Sequence, residues 1–492
     1  MEVRKSFKRA VNFALSSQNA DGCWDGPIFP TLFQSALVAY AFEHLEEKDW
    51  YKKLFSYVEN YPVFKKTKNK YAERYLLHYE WIFHEGVRAL VIKDEGKSIK
   101  IAGEIKKVLN KEGGEKIARK FLLLAVLFIQ EGFLSWSDLP DKMLEKIKFL
   151  PSFTSELEKM PWRFVSYAVV SARYFYDEGE FDKAVFLIRK IIKYKSDNGS
   201  WNEYPFVTAL VAAILNKMNV FIPDIESYFV SRQFDSGGIA PISAKIWDTA
   251  YAINSFRKIK GFNSYVSRGY SFLLRHRLPN GFWGWDVGGN MDFDTLSMVI
   301  KVLPYSSVKK LSSFLVANQK EEGGWGTWIK NDDSSVDVTA HCLSALGNNF
   351  DKSRELAVDY LIENNEKGAW FPSWYINVYY GISQSLDALM QNGLKEFPDS
   401  IKFIEKNQGK DGGWGELPGF KSSAVATSHA VLSLLKLGEV DKAREGVEWL
   451  VRNQTDEGTW AESLFAIGPY PINYSDFSII HFSSLSAIHK FT

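Results

Sequence analysis

One phrase recurs along this 492-residue chain. "QNADGCW" ends at Trp24, "QKEEGGW" at Trp325, "QGKDGGW" at Trp414 and "QTDEGTW" at Trp460, each with Gln and Trp six positions apart. Degenerate copies end at Trp201, Ile239, Trp283 and Trp370, and from position 239 onward the copies fall every 42 to 46 residues. A period of that size means one supersecondary unit stacked repeatedly, because no single unit buries its apolar face alone. Between copies, apolar residues fall at i, i+3, i+4 and i+7, as in "DVTAHCLSAL" from Asp337 and "SAVATSHAVLSLLKLG" from Ser423, which is helical spacing. Each repeat therefore holds two helices, with the Gly-rich phrase at a helix C-terminus and turn, where glycine takes positive φ. The Gln is expected to satisfy loop backbone groups and the Trp to pack on the next repeat. Paired helices at this period make an open solenoid or a closed (α/α) barrel, and periodicity does not choose between them.

Few clear copies occur between roughly residues 25 and 235, where charged helical segments such as "VIKDEGKSIKIAGEIKKVLNKEGGEKIARK" stand instead. The expected organisation is an N-terminal helix, residues 1–20, docking on a C-terminal helical domain of residues 241–492, with residues 21–240 inserted as a second, less regular helical domain. Lys and Arg number 60 against 59 Asp and Glu, so overall charge gives no reason to expect nucleic acid. Two cysteines are too few for a disulfide framework or a structural zinc cluster. The apolar run "FLLLAVLFI" from Phe121 is about half a membrane span, so the expectation is a cytoplasmic protein, soluble or in peripheral contact with a membrane surface. Aromatic residues make up 15% of the chain, with 16 Trp, and while many of these rings are expected in the core, so many invite a functional reading for a few.

"GGNMDFDTLSM" from Gly288 places Asp292 and Asp294 two residues apart with no basic residue beside them. Taken alone, such a pair is a solvated helix N-terminus favoured by the helix dipole. The flanking segments change that reading. "ISAKIWDTAYAI" at 242–253 is similar to the "SPVWDT" segment of class II terpene cyclases, and "NGFWGWDVGGNMDFDTLSM" to their Asp-x-Asp-Asp acid segment. "SSVDVTAHCLSAL" at 334–346 resembles their "SEDVTAH", and "WFPSWYINVYYGIS" at 370–383 their "WFGRWGVNYLYGTG". These occur in the family's order over residues 230–492, most like the squalene-hopene cyclase branch, and the repeat phrase looks like that family's QW motif.

The resemblance implies an all-α protein of two (α/α) barrels, β and γ, with the γ barrel inserted after the N-terminal helix of β. It implies proton-initiated cyclisation of a linear isoprenoid. By motif position Asp294 is the proton donor, Asp292 its modulator, and His341 the histidine that contacts the acid. Thr295 stands where the family has its last Asp, and this Asp-x-Asp-Thr form resembles bacterial drimenyl diphosphate synthases. Asp337 is expected to cap the helix that carries His341.

Protonating an unactivated alkene requires a carboxyl that is neutral yet ready to release its proton, a balance that burial, a like charge and hydrogen bonds to the carboxylate set between them. The cation that follows calls for aromatic faces and exclusion of water. Trp247, Trp283, Trp374, Tyr470 and Tyr474 are the lining candidates by position in the matched segments, with Trp162 from the inserted domain. Trp325 and Trp414, which close repeat phrases, are structural. "NDDSSVD" at 331–337 has one residue too many for the Asp-Asp-x-x-Asp metal motif and reads as a polar loop. The candidate substrates are squalene, farnesyl diphosphate and geranylgeranyl diphosphate. Thr295 and a short connection before "DVTAH" favour a diphosphate that is retained, which would bring Mg²⁺ on the phosphate oxygens and call for a basic residue such as Arg163 or Lys245. Two other readings are a prenyltransferase-type barrel, which needs an Asp, Cys and His zinc site that this pattern does not furnish, and a non-catalytic helical-repeat scaffold.

Overall fold

The computed structural model describes residues 2–26, 28–111, 115–149, 161–257, 259–308, 310–328, 332–347, 350–468 and 472–492. The chain divides into two compact units, one of Met1–Pro27, Ala244–Ile467 and Ser475–Thr492, the other of Ile28–Ser243 and Gly468–Tyr474. Both are helical, with only two two-residue strands, Ala466–Ile467 and Asn473–Tyr474, among the described residues.

In the first unit, six helices are buried on nearly all faces: Lys245–Phe256, Phe293–Val302, Val336–Ala345, Val378–Gln391, Ala424–Lys436 and Phe477–His489. Each packs on the next, and Phe477–His489 packs on both Ala424–Lys436 and Lys245–Phe256, so the ring closes. Their sequences are rich in Ala, Ser and Thr, small side chains that admit close neighbours on both sides. Asn263–Arg275, Leu311–Ala317, Asp351–Glu363, Pro398–Lys406, Val440–Arg452 and Glu2–Ser16 lie outside, burying one stripe and exposing the other. The result is a closed (α/α) barrel in which the N-terminal helix is the sixth outer member.

The repeated phrase ties inner to outer helices through a fixed set of bonds. Gln319 Nε2 donates to Gly323 O at 2.7 Å and to Ser353 O at 2.8 Å, closing its turn and holding the next outer helix. Gln454 does the same with Gly458 O and with Ser6 O of the N-terminal helix, at 3.0 and 3.1 Å. Trp414 Nε1 donates to Ile404 O, ten residues back, at 2.8 Å, and its backbone N–H to Thr427 Oγ1 at 3.0 Å. Trp24 and Trp325 repeat both bonds. Each Trp is thus anchored to the outer helix before it as well as to the inner helix after it. Gly323 sits at φ +89°, where a side chain is strained.

In the second unit, Leu32–Ala41 packs between Glu80–Val91 and Pro205–Asn216, and Pro205–Asn216 packs in turn on Pro161–Asp177 and Glu115–Gln130. Trp201 and Gln233 carry degenerate copies of the clasp, bonded to Ile191 O and Gly237 O. A buried acid, Glu80, accepts from both the backbone and the side chain of Asn473, at 2.6 and 2.9 Å, which explains why residues 468–474 belong here. Among the described residues no helix is long and apolar enough to cross a membrane.

Candidate functional site

The site lies wholly within the closed barrel of the first unit and begins with the loop before Phe293–Val302. Gly284 pairs with Met291 as an antiparallel bridge, and a Cβ on Gly284 would strike the backbone of Asn290, so glycine is required for the loop to fold back. Asp292 then caps the helix, its Oδ1 accepting from Thr295 N at 2.6 Å. Phe293 N donates to Thr327 O at 2.8 Å, which fixes the first turn from the side. Asp294, 7% exposed, follows with its carboxyl directed at the neighbouring inner helix.

Three side chains meet there. His341 Nδ1 stands 2.5 Å from Asp294 Oδ1, and Tyr375 OH donates to Asp294 Oδ2 at 2.6 Å. Tyr380 OH lies 2.9 Å from His341 Nε2, so one ring nitrogen faces the acid and the other a phenol. Asp337 does not cap its own helix. Its two oxygens accept from Ser373 N and Trp374 N, both at 3.2 Å, because the helix start is already formed at Ser335 and the carboxylate points at the loop that carries Tyr375.

Burial governs the protonation of this group. Asp292 is pushed up to about 8, first by desolvation and next by the negative charge of Asp294, against the backbone bonds that lower it. Asp292 therefore keeps its proton near neutrality. Burial, and then Asp294, also raise Asp337 above the usual carboxylate range. The Tyr375 and Tyr380 hydroxyls are held well above 10 for the same two reasons and remain protonated donors.

Of the residues expected from sequence, Asp292, Asp294 and His341 converge here, and Trp247 joins them. Its ring lies 5.7 Å from His341 and 6.1 Å from Tyr375, nearly parallel to the latter. Trp374 is half-buried at the edge, its Nε1 on Thr327 Oγ1 at 2.5 Å and its ring against Trp328 at 5.2 Å. Trp283 does not line the site. It is fully buried with Nε1 on Leu273 O, ten residues back, the clasp position of the repeat, so its expected lining role is corrected to a structural one. Tyr474 belongs to the second unit. Tyr470 and the side chains of Trp162 and Arg163 lie outside the described residues. Lys245 Nζ faces Asp25 at 3.5 Å. Tyr375 and Tyr380 were not singled out from sequence, although both lie in "WFPSWYINVYYGIS" and Tyr375 stands where the similar family segment has glycine. Among the described residues no cluster of three His, Cys, Asp or Glu is placed to hold a metal ion.

The closed helical barrel thus carries a buried Asp, His and Tyr group at the head of an inner helix, and comparison with known proteins finds likenesses to cyclases over part of the chain. Residues 329–483 match the family model of the squalene-hopene cyclase C-terminal domain. The chain is 26% identical over 301 residues to the squalene-hopene cyclase of Zymomonas mobilis, covering 47% of this chain and 46% of that one. It is 24% identical over 228 residues to the drimenyl diphosphate synthase of Streptomyces showdoensis, covering 41% and 42%. It thus spans less than half the length of these curated relatives. The ent-copalyl diphosphate synthase of Streptomyces platensis shares the fold along 99% of this chain and 98% of that one, with a TM-score of 0.65 at 14% identity.

Proposed function

We propose that the chain is an enzyme that cyclises a linear isoprenoid, with Asp294 protonating the terminal alkene. The observation that carries this is the buried carboxyl of Asp294 with a separate partner on each oxygen, His341 and Tyr375. As the Asp294 O–H bond breaks, the alkene π pair forms the new C–H bond and a tertiary cation remains. The negative charge left on the carboxyl falls on oxygens already facing those two partners, so little has to reorganise. Trp247, packed against His341 and Tyr375, is the ring we assign to the cation, an attraction worth about 0.5–2 kcal/mol without bonding to it.

Farnesyl or geranylgeranyl diphosphate, with the diphosphate retained, is the substrate class we favour. Thr295 in the acid motif and the similarity to a drimenyl diphosphate synthase support it. Mg²⁺ would then enter with the diphosphate, bound chiefly through its oxygens. The similarity to squalene-hopene cyclase over a longer stretch keeps squalene as the second reading. The test is incubation with each of the three substrates and Mg²⁺, extracting products before and after phosphatase treatment. A cyclised alcohol released only by phosphatase is expected, and Asp294→Asn should abolish it. Cyclisation that survives in Asp294→Asn, or no cyclised product from any substrate, would overturn the proposal.

A further inference from the structure

In "WFPSWYINVYYGIS", Tyr375 occupies the place where the similar family segment "WFGRWGVNYLYGTG" carries glycine. The exchange sets a phenol directly on the acid, with its hydroxyl 2.6 Å from Asp294 Oδ2. The backbone on either side is pinned. Tyr375 forms an antiparallel bridge with Ala466, Ile376 N donates to Phe465 O at 2.7 Å, and Ile467 N to Trp374 O at 3.0 Å. The ring is equally confined, by Trp247 at 6.1 Å, Tyr380 at 4.5 Å and Phe465 at 4.9 Å. A side chain held this way has one orientation to offer, and in that orientation its hydroxyl serves the carboxyl.

We infer that Tyr375 is a positioning residue for the proton donor, supplying a hydrogen bond that the glycine of the family segment does not. The inference rests on Asp294 being the acid, as proposed above. His341 holds Oδ1, and Tyr375 holds Oδ2 and meets the charge that develops there when the proton leaves. Tyr375 keeps its own proton throughout. The proton lost by Asp294 goes to the alkene carbon, and the electrons of the broken O–H bond stay on the carboxylate. A fixed donor aimed at developing charge in a water-poor site acts on the transition state more than on the bound substrate, so its loss appears in kcat.

Tyr375→Phe keeps the ring and its packing and removes only the hydroxyl. The expected result is a native melting temperature, KM unchanged and kcat lowered about 100-fold, the scale of removing one such donor. An active native protein with an unimpaired Tyr375→Phe, or a variant that raises KM while kcat holds, overturns the role of Tyr375 alone. Native protein that cyclises none of the three substrates overturns the reading of Asp294 as acid. A second measurement needs no substrate. In protein labelled with ¹⁵N-histidine, Tyr375→Phe should move the ring resonances of His341, identified by their loss in His341→Gln, and leave the other seven of the eight histidines in place. A His341 signal that stays put overturns the inference whatever the activity.

Discussion

Replacing Asp292 by Asn is expected to stabilise the barrel at alkaline pH, although it removes a member of the acid motif. The Asp292 side chain does two things: Oδ1 caps the helix through Thr295 N, while Oδ2 is buried with no hydrogen-bond partner. Asn caps a helix about as well as Asp, so the first role survives the exchange. The second role is where the proteins differ. Burial and the Asp294 charge raise Asp292 from 3.8 to about 8, so between those values the folded chain holds a proton that the unfolded chain has released. The contribution of Asp292 is therefore complete below about 3.8 and is lost progressively as pH rises toward about 8. At about 1.4 kcal/mol per pH unit, this span sets a ceiling of about 6 kcal/mol, which relaxation around a charged carboxylate reduces. Urea melts of both proteins at pH 5 and pH 8 read the effect. Glu416 and Asp476, raised to about 7 and about 6 chiefly by burial, titrate in both proteins, so the quantity to compare is the difference between them. That difference should favour Asp292→Asn increasingly from pH 5 to pH 8, by about 2 kcal/mol or more. A difference that does not change with pH would refute the reasoning.

Thr427→Val removes the hydroxyl that accepts from Trp414 N within a fully buried clasp, and stranding that N–H should cost about 1–3 kcal/mol in a denaturant melt. An unchanged midpoint would mean that the Trp–Thr bond is incidental to the repeat. Asp337→Asn replaces one of the two acceptors that hold Ser373 N and Trp374 N, loosening the loop that positions Tyr375. Cyclisation kinetics should show kcat down by about tenfold or more with the fold intact by circular dichroism, and unaltered kcat would show that the loop holds its place without the carboxylate.

The repeated Gln…Gly…Trp phrase, by itself, determined the paired helices and their turns, because the Gln-to-Gly bond that closes the turn and the Trp bond to the helix before it join residues within about ten positions. Gln319 reaches Gly323 and Trp325 reaches Leu315, and glycine's freedom at positive φ is a property of the residue alone. Whether the repeats stay open or close was decided only by the packing of Phe477–His489 on Lys245–Phe256, surfaces more than two hundred residues apart along the chain. No local period encodes that meeting, because it depends on the curvature accumulated over all six pairs. The buried carboxyl group is similar. Asp294 and His341, separated by 47 residues, were legible through likeness to a family pattern, yet their 2.5 Å approach is a product of adjacent inner helices. Tyr375, 81 residues from Asp294, escaped sequence reading because its significance lies in where the 374–376 backbone is pinned against 465–467. Trp283 shows the opposite case. Its neighbours in sequence suggested a lining role, whereas it closes a copy of the repeat phrase, and the hydrogen bond to Leu273 makes it part of the frame.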